Sequence, residues 1–216
     1  MEMKDCPQLL CRIFASVILF LFGILVSNCI SEKVSENQNS YFLEISEYRQ
    51  KKDNFIKTSN RSPLSESDRI NFQNLSYFAI DGMYRISVKL RKYAELDTIQ
   101  MFTSKGTKRR ALKYGFFNFT LHGKNHKLVA YKSLKNGSVQ NDYLFLPFYD
   151  KTNGVETYGG GRFLDLHENK NNEYILDFNL AYNPYCAYGN ENYICPKPPE
   201  ENTIHALIEA GEKKWK

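Results

Sequence analysis

The chain has 216 residues, of which 42% are hydrophobic and 25% are charged, and its net charge is +5. These values are ordinary for one folded domain with a tail, and they exclude a wholly disordered chain and a membrane protein with several spans. The five cysteines are too few and too scattered for a small protein built on a disulfide framework.

The first 28 residues have the features of an export signal. Lys4 and Arg12 precede an uncharged stretch, residues 13–26. The length of this stretch suits the apolar core of a signal peptide and is short for a membrane span. The stretch ends in Val26-Ser27-Asn28-Cys29, which resembles a bacterial lipobox, although Gly or Ala is usual where Asn28 stands. We therefore expect a lipoprotein signal peptide at 1–28, with lipid attached to Cys29.

This interpretation predicts a protein of the bacterial cell envelope, anchored to a membrane through Cys29. Residues 29–40 are polar and are expected to form a tether, and residues 41–216 a single domain. The alternatives are an uncleaved signal anchor and a secreted soluble protein. All three place the domain outside the cytoplasm.

The domain begins with helical patterns and then changes to strand patterns. Apolar residues recur at helical spacing over 41–58, which predicts an amphipathic helix. Ser65 with Asp68 three residues later indicates the start of a short helix that ends near Phe72. Asp81-Gly82 then resembles a hairpin turn, and alternation over 84–91 predicts a strand with one wet face.

Short strands with turn signals between them follow to the end of the chain. Strands are predicted near 98–103, 117–121, 128–132, 143–148, 163–166, 174–178 and 204–208, with a hairpin at Asn136-Gly137 and a polar turn joining the 163–166 and 174–178 pair. Pro147 places its strand at a sheet edge or its own position at a strand end. The predicted fold is mainly β, an antiparallel sandwich or barrel of about seven to nine strands with an N-terminal amphipathic helix.

Several long segments resemble one family of bacterial and archaeal proteins, DUF1684. They are residues 52–55 (KDNF), 62–64 (SPL), 146–158 (LPFYDKTNGVETY), 161–165 (GRFLD), 177–188 (DFNLAYNPYCAY), 195–202 (CPKPPEEN) and 210–213 (AGEK). The resemblance covers about residues 48–213. It implies a compact domain of this length, and it implies no function.

Polar residues on turns between positions 150 and 183 make this stretch the candidate site. From Asp150 to Asp177 there are six acidic and three basic residues, the one locally acidic stretch of a basic chain. Tyr158-Gly159-Gly160-Gly161-Arg162 adds glycines that can form an anion-binding nest and an arginine that can grip a carboxylate or phosphate. The predicted ligand-binding residues are Asp150, Glu156, Tyr158, Arg162, Asp165, Asp177, Asn179 and Asn183.

We expect this site to bind a small polar or anionic ligand, and two other interpretations remain open. The acids and asparagines can instead cap turns and pair with Arg162, or bind Ca²⁺, although their spacing matches no EF-hand. Asp150 and Glu156 could also serve a hydrolase that uses paired carboxylates, and a purely structural envelope protein is the third possibility. The sequence therefore leaves open whether the protein is an enzyme, and it identifies no cofactor.

Cys186 and Cys195 bracket a loop of eight residues. In an oxidising compartment a disulfide is the natural interpretation, and closing this loop would contribute roughly 2–3 kcal/mol to stability. Two reduced structural thiols or half of a metal site are the alternatives, although this spacing is poor for zinc.

A basic cluster raises the question of nucleic-acid binding. Its members are Lys105, Lys108, Arg109, Arg110 and Lys113. An exported protein rarely meets nucleic acid, and no nucleic-acid module is visible, so we interpret the cluster as a solvated hairpin tip and expect no nucleic-acid partner.

Overall fold

A computed structural model describes residues 38–135, 138–139 and 142–216 of the chain. The predicted signal peptide, the lipidation site Cys29, most of the predicted tether and the turn at Asn136-Gly137 lie outside the described residues. Within the described ranges, no helix combines the length and the apolar character needed to cross a membrane.

The chain divides into two units, Met1–Glu47 and Tyr48–Lys216. The described part of the first unit, residues 38–47, is entirely helical. The sheet, its core and the candidate site all belong to the second unit.

Two α-helices precede the sheet. Helix α1 covers residues 38–58, in agreement with the amphipathic pattern of the sequence. Helix α2 (Glu66–Ile70) begins after Ser65, whose hydroxyl accepts a hydrogen bond from the Asp68 N–H at 3.1 Å. The start of this helix is thus confirmed, because Ser65 satisfies one of the free amides at its N-terminus.

Seven strands form the sheet in the described residues, and all their pairings are antiparallel. They are β1 (Arg85–Phe102), β2 (Lys108–Leu121), β3 (Lys124–Lys135), β4 (Ser138–Val139), β5 (Tyr143–Phe148), β6 (Arg162–His167) and β7 (Glu173–Asp177). Their order is β6-β5-β3-β2-β1-β7, with β4 paired to β3. The predicted fold class, mainly β and antiparallel with an N-terminal helix, is confirmed.

Strand β1 is long enough to pair with two partners. Its first part, Arg85–Lys89, pairs with β7, and from Leu90 onward it pairs with β2. The register shifts between Lys92 and Asp97, where the pairing with β2 contains a bulge. The sequence patterns at 84–91 and 98–103 are therefore parts of one strand, because the bulge interrupts the alternation without ending the pairing.

The two faces of the sheet have different neighbours, as the alternation of side chains requires. One face packs the main core, which includes Leu144, Leu146 and Leu164. The intervening residues Tyr143 and Phe145 point to the opposite face and line the cavity described below.

Three sequence predictions about strands and turns are wrong. Asp81-Gly82 starts no hairpin: Asp81 caps a short 3-10 helix, Gly82–Tyr84. Strands β6 and β7 lie at the two ends of the sheet order and do not pair. Residues 204–208 form no strand, although Ile204 and Ile208 are buried in the core. In each case the local sequence pattern correctly indicated a turn or buried residues. Which segments pair as strands depends on contacts between distant parts of the chain.

Candidate ligand-binding cavity

A cavity of about 750 Å³ opens within the Tyr48–Lys216 unit. This is a typical volume for a site that holds a small molecule. Its walls come from three sources: helix α1, one face of the sheet, and the segment 182–196.

Helix α1 supplies one wall. Tyr48, Lys51, Lys52 and Phe55 line the cavity, and their spacing puts them on one side of the helix. Helix α1 therefore contributes residues both to the cavity wall and, through Ile56, to a hydrophobic core cluster.

The floor is formed by alternate residues of neighbouring strands. Tyr131 of β3 lies opposite Phe145 of β5, and Phe145 lies opposite Asp165 of β6, so the three form a row across the sheet. Tyr143 and Phe163 lie two residues away on the same face. Because side chains two apart in a strand share a face, one set of odd-numbered residues builds the floor.

The third wall is an irregular segment that the sheet holds in place. Tyr182 pairs with Phe163 through backbone hydrogen bonds of 2.9 and 3.0 Å. At its other end the Lys197 N–H donates to the Phe102 carbonyl at 2.7 Å. Between these anchors the rings of Tyr185 and Tyr193 pack edge to face, with their centres 5.0 Å apart.

The cavity is aromatic and positively charged. Its cationic residues are Lys51, Lys52, Arg109, Arg110 and Lys132. Lys52 is paired with Glu212 at 2.5 Å and Lys132 with Glu168 at 2.5 Å. Within the described chain no carboxylate pairs with Arg109 or Arg110, both of which are exposed. Arg109 is two residues from Ala111, which also lines the cavity, so the two share a face of β2 and the Arg109 guanidinium group is available to an anion at the rim.

Asp165 is the one acidic residue that lines this cavity among the described residues. Its carboxylate accepts hydrogen bonds from the hydroxyls of Tyr182 and Tyr143. Burial raises the pKa of Asp165, and the two tyrosine hydrogen bonds oppose that rise. Asp165 also borders a second cavity of about 180 Å³, so it lies between the two.

Asp150 and Arg162 form a buried ion pair and do not line the cavity. The Arg162 Nη2 donates to Asp150 Oδ2 at 2.9 Å, and both side chains are fully buried. Asp150 Oδ1 accepts from the N–H and the hydroxyl of Thr152 at 2.8 and 2.6 Å. With both oxygens engaged, Asp150 gives no support to a hydrolase that pairs it with Glu156, and Glu156 itself lies 3.9 Å from Lys213.

Asp177 and Asn179 form a turn. Asp177 Oδ1 accepts from the Asn179 N–H at 3.0 Å and caps the 3-10 helix Phe178–Leu180. The Asn179 amide group bonds the backbone of Asp81 in both directions, at 3.0 and 2.8 Å. Both residues are buried, and these bonds join the end of β7 to the entry of β1.

Asn183 lies in a buried network centred on Glu212. The Glu212 carboxylate accepts hydrogen bonds from Lys52, from the Tyr188 hydroxyl and from the Asn183 side chain, the last at 3.1 Å. The backbone carbonyl of Glu212 lies 3.4 Å from Arg162 Nη1. The structure thus brings Asp150, Arg162 and Asn183 into one internal network. Lys52, which is hydrogen-bonded to Glu212, belongs to this network and also lines the cavity.

The glycine run after Tyr158 forms a turn, in which the Gly161 N–H donates to the Tyr158 carbonyl at 3.1 Å. Tyr158 is half-buried, and burial and the neighbouring Cys186 raise the pKa of its hydroxyl. Of the eight predicted ligand-binding residues, Asp165 alone lines the large cavity. The others are distributed among turns and the buried network.

Cys186 and Cys195 are both free thiols in this structure. The Cys186 N–H donates to the Cys195 Sγ at 3.2 Å, so the two cysteines are neighbours. The disulfide between them stays a prediction. Within the described ranges no group of three or more His, Cys, Asp or Glu side chains is placed to hold a metal ion.

Sequence reasoning missed the cations and most aromatic residues of the cavity. The sequence predicts a solvated hairpin tip at Arg109 and Arg110, and in the structure both are exposed residues of β2 that line the cavity. A usable signal was present in helix α1, where Tyr48, Lys52 and Phe55 combine aromatic and basic residues on one face. The residues that β2 contributes to the cavity are placed there by its pairing with β1 and β3, and no local sequence pattern indicates this position.

Comparisons with known proteins identify the family and no activity. The model of a family described as "Protein of unknown function (DUF1684)" matches residues 70–213. The solution NMR structure of an uncharacterised protein from Haloarcula marismortui is similar, with 32% identity and a TM-score of 0.63, over 82% of this chain and 96% of that one. No curated protein matches this chain. The family match and the structural likeness agree with the resemblance seen in the sequence motifs: the chain belongs to the DUF1684 family.

Proposed function

We propose that this protein is an exported, lipid-anchored binding protein whose cavity holds a small anionic ligand with an aromatic or apolar body. The observation that carries the proposal is the combination of arginines at the rim with aromatic side chains on the walls and floor. Guanidinium groups bind carboxylate, sulfonate or phosphate oxygens, and aromatic faces pack against apolar groups.

The arrangement of charge favours an anion over a cation. Lys52 and Lys132 bring positive charge that Glu212 and Glu168 balance. Arg109 and Arg110 add charge that no carboxylate of the described chain balances, while Asp165 is hydrogen-bonded by tyrosines. A bound anion would therefore meet net positive charge in a partly desolvated site, where electrostatic interactions are stronger than in bulk water.

The residues that line the cavity differ from most of those that the sequence predicts to bind the same kind of ligand. Asp165 is retained, and Arg109, Arg110 and the aromatic floor are added. The structural envelope protein remains the rival, and it predicts no selective binding at this cavity.

Fluorescence of anilinonaphthalene sulfonate tests the proposal, because this probe is an anion with an aromatic body. We expect the full chain to bind it, and the double variant Arg109→Gln/Arg110→Gln to weaken the affinity about tenfold, the loss of roughly one charge-assisted contact. Tryptophan at Ser133, which lines the cavity, should fill the space and also reduce binding.

The control is the double variant Lys124→Gln/Lys170→Gln, which removes the same charge from two exposed residues outside the cavity. Its affinity should stay within about twofold of the parent chain, since exposed charges at a distance are screened by salt. Equal weakening in both double variants would show a general charge effect, and the cavity proposal would then be abandoned.

A native mass above the denatured mass would reveal a ligand retained from the cell.

The membrane anchor rests on the sequence of the first 29 residues. A basic start, an uncharged stretch at 13–26 and Cys29 at the end of a lipobox-like sequence support lipidation and placement in the bacterial envelope. The partners proposed are therefore a membrane, through the lipid on Cys29, and a small molecule, with no nucleic acid.

The Cys29→Ala variant tests the anchor. We expect it to be released from membranes or to keep its signal peptide unprocessed, because acylation needs the thiol. Membrane fractionation and the mass of the protein measure both outcomes, with Cys11→Ala as the matched control. Mass and partitioning that are unchanged from the parent chain would contradict the proposal.

A further inference from the structure

The hairpin that joins β1 to β2 ends in a basic tip that the cavity does not use. Phe102, the last residue of β1, pairs with Lys108, the first residue of β2. Lys105 lies in the turn between them, and both lysines are exposed. Neither lysine lines the cavity, so the hairpin tip, residues 102–108, presents a surface of its own.

Hydrogen bonds fix the shape of the hairpin tip. The Thr103 N–H donates to the Thr107 carbonyl at 2.8 Å, and the two threonine hydroxyls lie 2.7 Å apart. The Gly106 N–H donates to the Thr103 carbonyl at 3.1 Å, which closes the turn. From the side, the Ser104 N–H donates to the Cys195 carbonyl at 2.8 Å. The backbone of the tip is therefore held in place, and binding to a partner does not first have to order it.

The hairpin tip carries positive charge that the chain does not balance. Residues 98–112 contain no Asp or Glu and include four basic residues, Lys105, Lys108, Arg109 and Arg110. Within the described residues neither Lys105 nor Lys108 forms an ion pair with a carboxylate. An anionic partner would therefore meet the free charge of both lysines.

An exposed aromatic side chain lies beside these charges. Phe102 has 58% of its surface exposed, and the Lys108 Nζ lies 5.3 Å from the centre of its ring. Ile194, which is 50% exposed, directly precedes Cys195 in the segment that is bonded to the tip. This surface is amphipathic: its apolar side chains gain free energy by leaving water, and its ammonium groups gain by staying near anions at a wet interface.

We propose that the hairpin tip contacts the surface of an anionic bilayer, with the Phe102 ring among the lipid headgroups and Lys105 and Lys108 against lipid phosphates. Apolar side chains and basic residues on one surface bind a protein to the interface of a bilayer that carries negative charge. The inference rests on the membrane placement in the proposed function, and it adds which face of the domain meets the membrane.

The length of chain after the proposed lipid attachment site supports this contact. Gln38, where the described part of the chain begins, is nine positions after Cys29. Nine residues reach at most about 30 Å when fully extended. A lipid on Cys29 would therefore keep the start of helix α1 near the bilayer and raise the effective concentration of lipid around the domain.

Nucleic acid is the other polyanion that a basic surface could bind. An aromatic ring such as that of Phe102 can stack on a base as well as enter a lipid interface. The aliphatic side chain of Ile194 does not stack on bases, whereas it packs against acyl chains. The exposed apolar residues beside the lysines therefore favour lipid.

The test measures how close the hairpin tip comes to the acyl chains. The chain has one tryptophan, Trp215, and the variant Phe102→Trp adds a second at the tip. The full-length variant is bound to vesicles made of equal parts phosphatidylglycerol and phosphatidylcholine with brominated acyl chains, which quench indole fluorescence at short range. We expect the bromines to quench at least about half of the added fluorescence. The parent chain gives the signal of Trp215 that is subtracted.

Ile175→Trp is the matched control. Ile175 is 42% exposed and lies on β7 opposite Ser87, near the start of β1, whereas Phe102 is at the end of β1. Its added fluorescence should be quenched by less than about a tenth, since an indole group that stays in water is well outside the hydrocarbon region. Circular dichroism checks that both variants fold like the parent chain. Equal quenching at the two positions, or none in Phe102→Trp, would overturn the proposal.

The dependence on charge gives a second readout. Adding Lys105→Gln/Lys108→Gln to Phe102→Trp should reduce the quenching at least about threefold, because each basic residue adds attraction to an anionic surface. Vesicles of brominated phosphatidylcholine alone should give a similar loss. Unchanged quenching in either case would contradict contact through these lysines. A labelled DNA duplex that binds the parent chain but not Lys105→Gln/Lys108→Gln, with no quenching by the bilayer, would assign the surface to nucleic acid instead.

The cavity and the anchor are tested separately from the hairpin tip. Lys105→Gln/Lys108→Gln should leave the affinity for anilinonaphthalene sulfonate within about twofold of the parent chain, because neither lysine lines the cavity. Fractionation of Cys29→Ala reports on the anchor. A parent chain that does not sediment with the anionic vesicles would overturn the hairpin contact, whatever the cavity binds.

Discussion

Replacing Arg162 by methionine is expected to lower the free energy of unfolding by about 3–5 kcal/mol, the usual cost of breaking a buried ion pair by removing one partner. The side chain of Arg162 is fully buried, as is that of Asp150, whose Oδ2 lies 2.9 Å from Arg162 Nη2. Methionine has a similar length but no charge, so it leaves the Asp150 carboxylate inside the protein without its cation.

Backbone carbonyls add to this cost. Arg162 donates to the carbonyl of Ala210 at 2.5 Å and to that of Ile208 at 2.8 Å. These bonds connect β6 to the last segment of the chain, which forms no regular strand over 204–208 and is otherwise bonded to the backbone of residues 149–151. Without the guanidinium group the two carbonyls lose their donor in a place that water does not reach.

Arg85→Met is the matched control, measured in the same way by urea unfolding followed with circular dichroism. Arg85 lies 3.9 Å from Asp177, and 41% of its side chain is exposed. Its replacement should change stability by less than about 1 kcal/mol, because the Arg85 side chain is largely in contact with water and lies at a long distance from its partner. A loss of that small size in Arg162→Met as well would mean that Arg162 is not an internal anchor.

Gly211→Ala is expected to lower the free energy of unfolding by about 3 kcal/mol or more. Gly211 has a φ of +77°, a conformation that costs an L-residue roughly 1–2 kcal/mol. A Cβ added there would also lie 2.6 Å from the carbonyl oxygens of Phe178 and Ala181. Both contacts are with backbone, so relief requires a shift of the chain, which typically costs a further 1–3 kcal/mol, as overpacking does.

Gly189→Ala separates the two contributions, since Gly189 has nearly the same φ, +83°, and no atom within 4 Å of an added Cβ. We expect a loss of only about 1–2 kcal/mol in this control, from backbone conformation alone. The difference between the two variants, measured by urea unfolding, reports the close packing of the 210–212 segment against residues 178–181. Equal losses in the two variants would show that the backbone around Gly211 shifts to accept the added Cβ at little cost in stability.

Local sequence patterns predicted helix α1, the N-cap of α2 and most strands. These features depend on residues a few positions apart: the apolar residues at helical spacing over 41–58, the hydroxyl of Ser65 near the Asp68 amide, and the alternation over 84–91. Each is a short-range effect of backbone geometry, so the sequence displays it directly. The patterns failed where two distant segments had to pair, as for β6 and β7.

The candidate site was less predictable for the same reason. The sequence predicts a site in residues 150–183 because polar residues are dense in this stretch of the chain. In the fold most of these groups turn inward, where Asp150 meets Arg162 and Asn183 meets Glu212. The cavity instead collects Lys52, Arg109 and Tyr182, which are far apart in sequence and carry no shared motif.

By itself, the sequence determined the fold class, the family resemblance and the amphipathic character of helix α1. Composition and periodicity control these properties, because burial of apolar area and backbone geometry act along the whole chain. The tertiary structure alone decided which charges are internal and which face the cavity. A charged side chain is stabilised inside only by a specific partner, and whether such a partner lies within a few ångströms depends on strand order and register.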